Sequence, residues 1–190
     1  MAITYPTTLD VFTNPQASDL LTSPDHATQH ANINDAVEAL EAKVAIGNTV
    51  LGTYTSYTPT YPSGLTVGNA TVSSQYCRVN NFVHYWGRVL WGSTTSINTS
   101  GLQVSLPITA DTTFATGAVN TIGTAGLRNN TTSNSFFLMP LMVNGTATAM
   151  NIAAQLASGT YVSTVAITTT VPFTQIQGDS FWWNVMYKAA

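Results

Sequence analysis

The sequence predicts a mainly β protein: an antiparallel, jelly-roll-like β-sandwich preceded by an extended amino-terminal arm and by one α-helix that forms a short oligomeric coiled coil. Three observations support this fold class. The 190 residues include 32 threonines but only eight acidic and five basic residues, and threonine is β-branched and favours strands. Strand-forming runs alternate with turn residues at intervals of roughly ten residues. A heptad pattern is confined to one segment near the amino terminus.

The charged residues indicate where the chain divides. Residues 1–47 hold six acidic residues and one basic residue, whereas residues 48–190 hold two acidic and four basic residues. Such a shift predicts two structural units with a boundary near Gly47. We therefore predict an arm over residues 1–22, a coiled-coil helix over residues 23–47 and a β-sandwich over residues 48–190.

The predicted arm has apolar side chains but no means of burying them by itself. Leu9, Val11 and Phe12 lie in a segment that is too short to form a core. We expect the arm to be extended and to place these three side chains on another protein, which makes them the candidate attachment residues. A frayed terminus is the alternative.

The predicted helix has the clearest periodicity in the chain. Ser23 is a suitable N-cap, Pro24 fits the first helical position, and Gly47 can end the last turn. Six residues recur at the alternating spacing of four and three that defines a heptad seam. This narrow seam predicts self-association, and an amphipathic helix lying on a sheet is the alternative. The candidate oligomerisation residues are His26, His30, Ile33, Val37, Leu40 and Val44.

Asn80-Asn81 is a good turn signal in the β segment, because Asn tolerates the positive φ of a two-residue hairpin. This turn places Cys77 opposite His84 and Arg78 opposite Val83. The other predicted strands are Gly101–Ile108, Gly117–Ile122, Ser135–Val143, Thr146–Ala153, Tyr161–Val171 and Ser180–Tyr187.

The last predicted strand has apolar side chains on both faces. Alternation places Trp183 on the face that also holds Phe181, and Trp182 on the opposite face with Met186. Two apolar faces should both be covered, which indicates burial between subunits. Trp182 and Trp183 are therefore further candidate oligomerisation residues.

The segment of residues 123–134 is rich in Gly and Asn and is predicted to be an exposed loop. It contains Arg128, the only basic residue nearby. Because exposed loops often carry binding residues, Arg128, Asn129 and Asn130 are candidate contacts to a receptor.

Few side chains in this sequence are suited to catalysis. The chain has three histidines and no G-x-S-x-G motif, so a nucleophilic triad would have to use His84. A glycosidase would need Asp111 and Asp179 to face one sugar, whereas both are typical turn residues. We predict no enzymatic activity, no cofactor and no metal site. A ring of His26 and His30 around a symmetry axis, binding a metal or an anion, is the alternative.

Composition also restricts the partners. A net charge of −3 with scattered basic residues predicts no nucleic-acid binding. The longest apolar stretch, residues 136–143, is too short to span a membrane, so we predict no membrane insertion. The start of the sequence has no signal-peptide pattern. The single cysteine, Cys77, allows no internal disulfide.

Two parts of the chain resemble known phage proteins. Leu9–Pro15 (LDVFTNP) and Ser23–Val44 resemble the amino-terminal segment of minor virion proteins of tailed bacteriophages, where a similar H-A-x-Q-H…N-D-A…E-A-L-E-A-K helix precedes varied carboxy-terminal modules. Tyr57–Ser96 and Leu102–Ala110 resemble a β-sandwich module found at the tips of phage tail and head fibre proteins. Together these stretches cover about half of the chain.

The resemblance implies a virion structural protein on the exterior of the phage particle, made in the host cytoplasm. It implies a homotrimer that attaches through its amino-terminal segment to other virion proteins of the capsid or tail and displays its β domain outward. A trimeric head fibre or capsid decoration protein suits the chain length best. The alternatives are a short tail fibre or receptor-binding tip that binds a host surface glycan, a separate glycan-binding module, and a capsule-degrading enzyme.

Overall fold

A computed structural model describes residues 26–44, 52–98, 101–111, 113, 119–143, 148–158 and 160–190. These residues form a mainly β protein with one α-helix and twelve strands. All of the strand pairs are antiparallel, which confirms the prediction of a β-rich, antiparallel fold. The chain separates into two compact units, with the division between Thr53 and Tyr54. The predicted arm, with Leu9, Val11 and Phe12, lies outside the described residues.

The helix α1 comprises His26–Val44, about 28 Å of helix. Three large apolar residues of the predicted seam are strongly exposed in the single chain: Ile33 (52%), Val37 (46%) and Leu40 (52%). The predicted capping residues lie outside the described residues, and the structure does not describe the side chains of His26 and Val44. The helix therefore presents an apolar stripe that its own unit does not cover.

The strands of the second unit are short to medium in length. Their bounds are β1 Thr55–Ser56, β2 Leu65–Thr66, β3 Thr71–Val79, β4 Phe82–Leu90, β5 Ser96–Ile97, β6 Leu102–Ser105, β7 Val119–Thr121, β8 Gly123–Arg128, β9 Ser135–Val143, β10 Ala149–Ser158, β11 Tyr161–Ala166 and β12 Ser180–Lys188.

Ten of the described strands form one sheet, in the order β1-β3-β4-β12-β8-β9-β10-β11. Strand β7 pairs with the part of β9 that β8 does not reach. Strand β6 likewise pairs with the part of β10 that β11 does not reach. Strands β2 and β5 pair with each other. The last strand in sequence, β12, is thus a central strand, hydrogen-bonded to β4 on one side and β8 on the other.

The core lies on one face of this sheet. Strands β4, β12 and β8 contribute to the same buried cluster as β6 and β10. Trp183, Tyr85 and Phe181 are the largest fully buried side chains. The Trp183 ring lies 5.5 Å from Tyr85 and 5.1 Å from Phe181 between ring centroids, within the range of favourable aromatic contacts.

The hairpin prediction is confirmed residue by residue. Val79 pairs with Phe82 around Asn80-Asn81, and Asn80 has a φ of 53°. Cys77 faces His84 and Arg78 faces Val83, as the two-residue turn requires. The local chemistry of two asparagines was therefore sufficient to set the register of β3 and β4.

The loop prediction for residues 123–134 is wrong in its first half. Gly123–Arg128 is the strand β8, which lies between β12 and β9. The small residues of this strand are typical of a loop, but here they are required because larger side chains would not fit. A Cβ on Gly126 would overlap the indole of Trp182, and Ala125 is fully buried against the core. The loop itself is confined to residues 129–134.

Candidate functional site

The most distinctive surface of the β unit is the face of the sheet opposite the core, which we call the outer face. Side chains alternate between the two faces, so residues paired across neighbouring strands share one face. One row of cross-strand partners passes over five strands and brings together an arginine, a tryptophan and a phenylalanine. In order across β3, β4, β12, β8 and β9, this row is Ser73, Arg88, Trp182, Gly126 and Phe137.

The two adjacent tryptophans of β12 point to opposite faces, and each packs over a glycine. Trp183 lies on the core face over Gly87, where an added Cβ would overlap its indole. Trp182 lies on the outer face over Gly126 and is half-buried. Since Gly126 holds the indole close to the sheet, Trp182 forms part of the surface rather than of the core.

Aromatic and other apolar groups are exposed around Trp182. Phe137 is 69% exposed at the end of the same row, and Trp86, also half-buried, lies on the outer face of β4. Phe82 and Met186 add two more exposed side chains at the far end of this face. A group of exposed apolar side chains on one face of a folded unit is typical of a binding surface.

Two arginines flank Trp182 on the outer face. Arg88 is its direct partner on β4. Arg128 pairs with Ser180, two residues along β12 from Trp182, on the opposite side of that strand. Both arginine side chains are exposed.

Within residues 54–190, neither arginine has an acidic partner, because the two acidic side chains of this unit make other contacts. Asp111 forms the ion pair with Lys188, and that contact lowers the pKa of its carboxyl below the usual range. Asp179 is fully buried, and its two carboxylate oxygens accept hydrogen bonds from the backbone N–H groups of Asn130 (2.8 Å) and Ile176 (2.7 Å). The outer face around Trp182 therefore carries positive charge that the acidic side chains of the β unit do not compensate.

Hydrogen-bonding groups complete the outer face. Gln75, Trp86, Asn184 and Thr124 form the row beside that of Trp182. His84 is held between the hydroxyl of Tyr54, which is hydrogen-bonded to Nδ1 (2.6 Å), and Asn184, whose Oδ1 accepts from Nε2 (2.7 Å).

The predicted catalytic candidates are not brought together. Asp179 precedes β12 and Asp111 binds Lys188 at the other end of that strand, about 30 Å of extended chain away. A glycosidase needs its carboxylates within about 10 Å of each other. Both ring nitrogens of His84 are occupied by Tyr54 and Asn184. Asp111, Asp179 and His84 therefore each bind other groups of the β unit and do not form a common site.

The described part of the chain contains no group of three or more His, Cys, Asp and Glu side chains that could hold a metal ion. It also contains no helix long and apolar enough to cross a membrane. Cys77 is a free, half-buried thiol on β3.

The three predicted receptor contacts have different environments in the structure. Arg128 ends β8 and is exposed on the outer face. Asn129 instead accepts hydrogen bonds from the N–H groups of Thr131 and Thr132, and so orders the turn. Asn130 is exposed, and its backbone is bound to Asp179. Of the three residues, Arg128 is the one placed beside other candidate binding groups.

The structure also separates the two tryptophans proposed as subunit contacts. Trp183 is 1% exposed within a single chain, so it is a core residue, which corrects its assignment to an oligomer interface. Trp182 faces outward, and its role in association stays a prediction. Sequence reasoning missed Arg88 and Phe137, although the alternation of apolar and polar residues in FVHYWGRVL was a usable signal for Arg88.

Comparisons with known proteins give no relative to set beside this geometry. No family model, no curated protein and no solved structure matches the chain.

Proposed function

We propose that this protein is a structural protein of a phage virion: a homotrimeric head fibre or capsid decoration protein. It is anchored to the capsid or tail by its amino-terminal arm and displays its β unit on the particle exterior. The helix forms the trimeric coiled coil, and the β unit is a two-layer, jelly-roll-like sandwich. The sequence resemblance of the helix and of the β segment supports this function.

The observation that carries the proposal is the exposed apolar stripe of α1. Ile33, Val37 and Leu40 are each about half exposed in the single chain. Packing such a stripe against two copies of itself would bury three large side chains per chain, each worth about 1.5 to 3 kcal/mol when fully buried. A helix of this length is marginal alone in water, so association also stabilises the helix itself.

The carboxylates support a structural rather than a catalytic role. Asp179 joins two loops through backbone hydrogen bonds, and Asp111 binds Lys188 next to the bridge between Ala110 and Ala189. Both therefore stabilise chain connections at the two ends of β12. We propose a protein without hydrolytic activity, whose function is assembly and display.

The test combines sedimentation with particle assembly. The full chain should sediment as a trimer at micromolar concentration, and a monomer would contradict the proposal. A truncated chain starting at Ser23 should remain a folded trimer but should fail to join phage particles that lack the protein. If the truncated chain decorates such particles as well as the full chain does, the arm is not the anchor.

A second candidate function is favoured by the outer face. A short tail fibre or receptor-binding tip needs a surface that recognises a host glycan. Exposed aromatic rings beside guanidinium and amide groups, as around Trp182 and Arg88, are suited to sugars, because rings pack on sugar faces and polar groups bind hydroxyls. In this function the β unit would provide recognition as well as display.

A further inference from the structure

We propose that the outer face around Trp182 binds an anionic saccharide, namely a polymer that contains uronic acid residues. This inference rests on the second candidate function and names its site and its ligand class. The site comprises Trp182, Phe137, Arg88 and Arg128.

The aromatic part of the site is built by the cross-strand register. Trp182 and Phe137 are the two cross-strand partners of Gly126 in one row, and the indole of Trp182 lies over Gly126, between its own strand and that of Phe137. The indole is half-buried over Gly126, while the phenyl ring is 69% exposed. A sugar chain can therefore pack its apolar C–H faces on the exposed sides of these two rings.

The charged part of the site lies within reach of the indole. Direct cross-strand partners have Cβ atoms about 5 Å apart, and diagonal neighbours are about 7 to 8 Å apart. Arg88 is a direct partner of Trp182, and Arg128 is a diagonal neighbour. A carboxylate on a sugar ring that packs on Trp182 can thus accept two parallel hydrogen bonds from either guanidinium.

Charge complementarity favours an anionic ligand. Residues 54–190 contain two acidic residues, and the structure places one in the interior and the other in an ion pair with Lys188. The positive charge of Arg88 and Arg128 is therefore uncompensated by the β unit. A uronic acid supplies both the anion and the apolar ring face in one unit.

Other anionic or apolar partners fit this face less well. Two arginines in a chain of net charge −3 give a nucleic acid little counterion release. A second copy of the chain would place the arginines of both copies in an interface without acidic partners on this face. The surrounding side chains of Ser73, Gln75 and Asn184 are hydroxyl and amide groups, which bind sugar hydroxyls.

The experiment measures binding of uronic acid oligosaccharides to the purified full-length protein. Titration calorimetry would use oligogalacturonate, oligoglucuronate and oligomannuronate, each compared with its methyl ester, which keeps the ring and removes the charge. We expect at least one free acid to bind about tenfold or more tightly than its ester. No binding of any free acid at millimolar concentration, or equal binding of acid and ester, would overturn the proposal.

Variants locate the site. Arg88→Gln and Arg128→Gln should each weaken binding of the free acid about tenfold, and Phe137→Ser should weaken binding of acid and ester alike. Arg78→Gln is the matched control, because Arg78 pairs with the buried Val83 and so lies on the opposite face of the sheet. Full affinity in Arg88→Gln and Arg128→Gln, or a loss in Arg78→Gln equal to theirs, would overturn the site.

Two further measurements distinguish other uses of this face. Tighter binding of a single-stranded oligonucleotide than of any uronate, lost in the same arginine variants, would replace the saccharide with a nucleic acid. Dissociation of the oligomer in Phe137→Ser, without saccharide binding by the parent protein, would make the face a subunit contact. Trimer formation and particle assembly are measured separately. If the saccharide proposal fails, the proposed structural function is therefore still tested by those two measurements.

Discussion

At the scale of single residues, two glycines and one aspartate hold the centre of the sheet together. Gly87 leaves room for the indole of Trp183 on the core face, and Gly126 leaves room for the indole of Trp182 on the outer face. Asp179 binds the loop before β12 to the loop after β8 through two backbone N–H groups. Each of these residues accommodates a contact between chain segments that are distant in sequence.

Gly87→Ala and Gly126→Ala form a matched pair of substitutions. In Gly87→Ala the new methyl group would meet the buried indole of Trp183 and the Cβ of Ser74, neither of which has space to move. The free energy of unfolding should fall by about 2 kcal/mol or more. In Gly126→Ala the half-exposed indole of Trp182 can turn outward, so the loss should be about 1 kcal/mol or less. Urea unfolding of both variants tests this, and equal losses would contradict it.

Asp179→Asn should destabilise the β unit. One carboxylate oxygen would become an N–H₂ group facing a backbone N–H of Asn130 or Ile176, which replaces an acceptor with a donor. We expect the free energy of unfolding to fall by about 1.5 to 3 kcal/mol, the worth of a hydrogen bond to a charged group. Asp111→Asn is the control and should lower stability less than Asp179→Asn, because the partner of Asp111 is the exposed side chain of Lys188. Thermal unfolding that ranks the two variants in the reverse order would show that Asp179 has no such role.

At the scale of the elements, the helix and the central strand of the sheet differ in how much their own unit covers them. Strand β12 is hydrogen-bonded on both sides and has one face in the core. The helix α1 leaves Ile33, Val37 and Leu40 about half exposed. The stability of β12 therefore comes from within the chain, whereas we propose that α1 is stabilised by other copies.

Leu40→Asp tests the association of the helices. A charge at a buried seam position, repeated in each subunit, would cost several kcal/mol per trimer. Asn34→Asp is the matched control, because Asn34 is exposed and lies off the predicted seam. Sedimentation equilibrium should show weaker association for Leu40→Asp and unchanged association for Asn34→Asp. Unaltered trimers of Leu40→Asp would show that other contacts hold the chains together.

At the scale of the whole molecule, the β unit packs tyrosines into its core. Burial raises the pKa of the hydroxyls of Tyr61, Tyr85 and Tyr187 well above the ordinary value of 10.0. Below pH 10 these groups are neutral in both the folded and the unfolded chain, so their contribution to stability is constant. Above pH 10 the unfolded chain releases protons that the folded chain retains, and the free energy of unfolding falls.

Alkaline unfolding should therefore follow the buried tyrosines. The melting temperature should be nearly constant from pH 8 to pH 9.5 and should fall steeply above pH 10. Tyr61→Phe removes one of the three groups and should reduce that fall. Absorbance at 295 nm should show some tyrosines ionising near pH 10 and others only on unfolding. Ionisation of every tyrosine near pH 10 in the folded protein would contradict the prediction.

Features that depend on neighbouring residues could be predicted from the sequence alone. The register of β3 with β4 follows from Asn80-Asn81, and the bounds of β9 match the predicted strand Ser135–Val143. The β-rich class follows from the β-branched composition. In each case the deciding interaction spans a few residues, so the local pattern contains it.

The position of β8, the separation of the two tryptophans and the grouping of Arg88 with Arg128 required the tertiary structure. Gly123–Arg128 has the composition of a loop, and it is a strand because β12, more than 50 residues later, pairs with it. The same pairing buries Trp183, leaves Trp182 on the outer face and brings the two arginines to either side of it. Pairing between distant strands depends on the packing of the entire core, and no local pattern of residues specifies it.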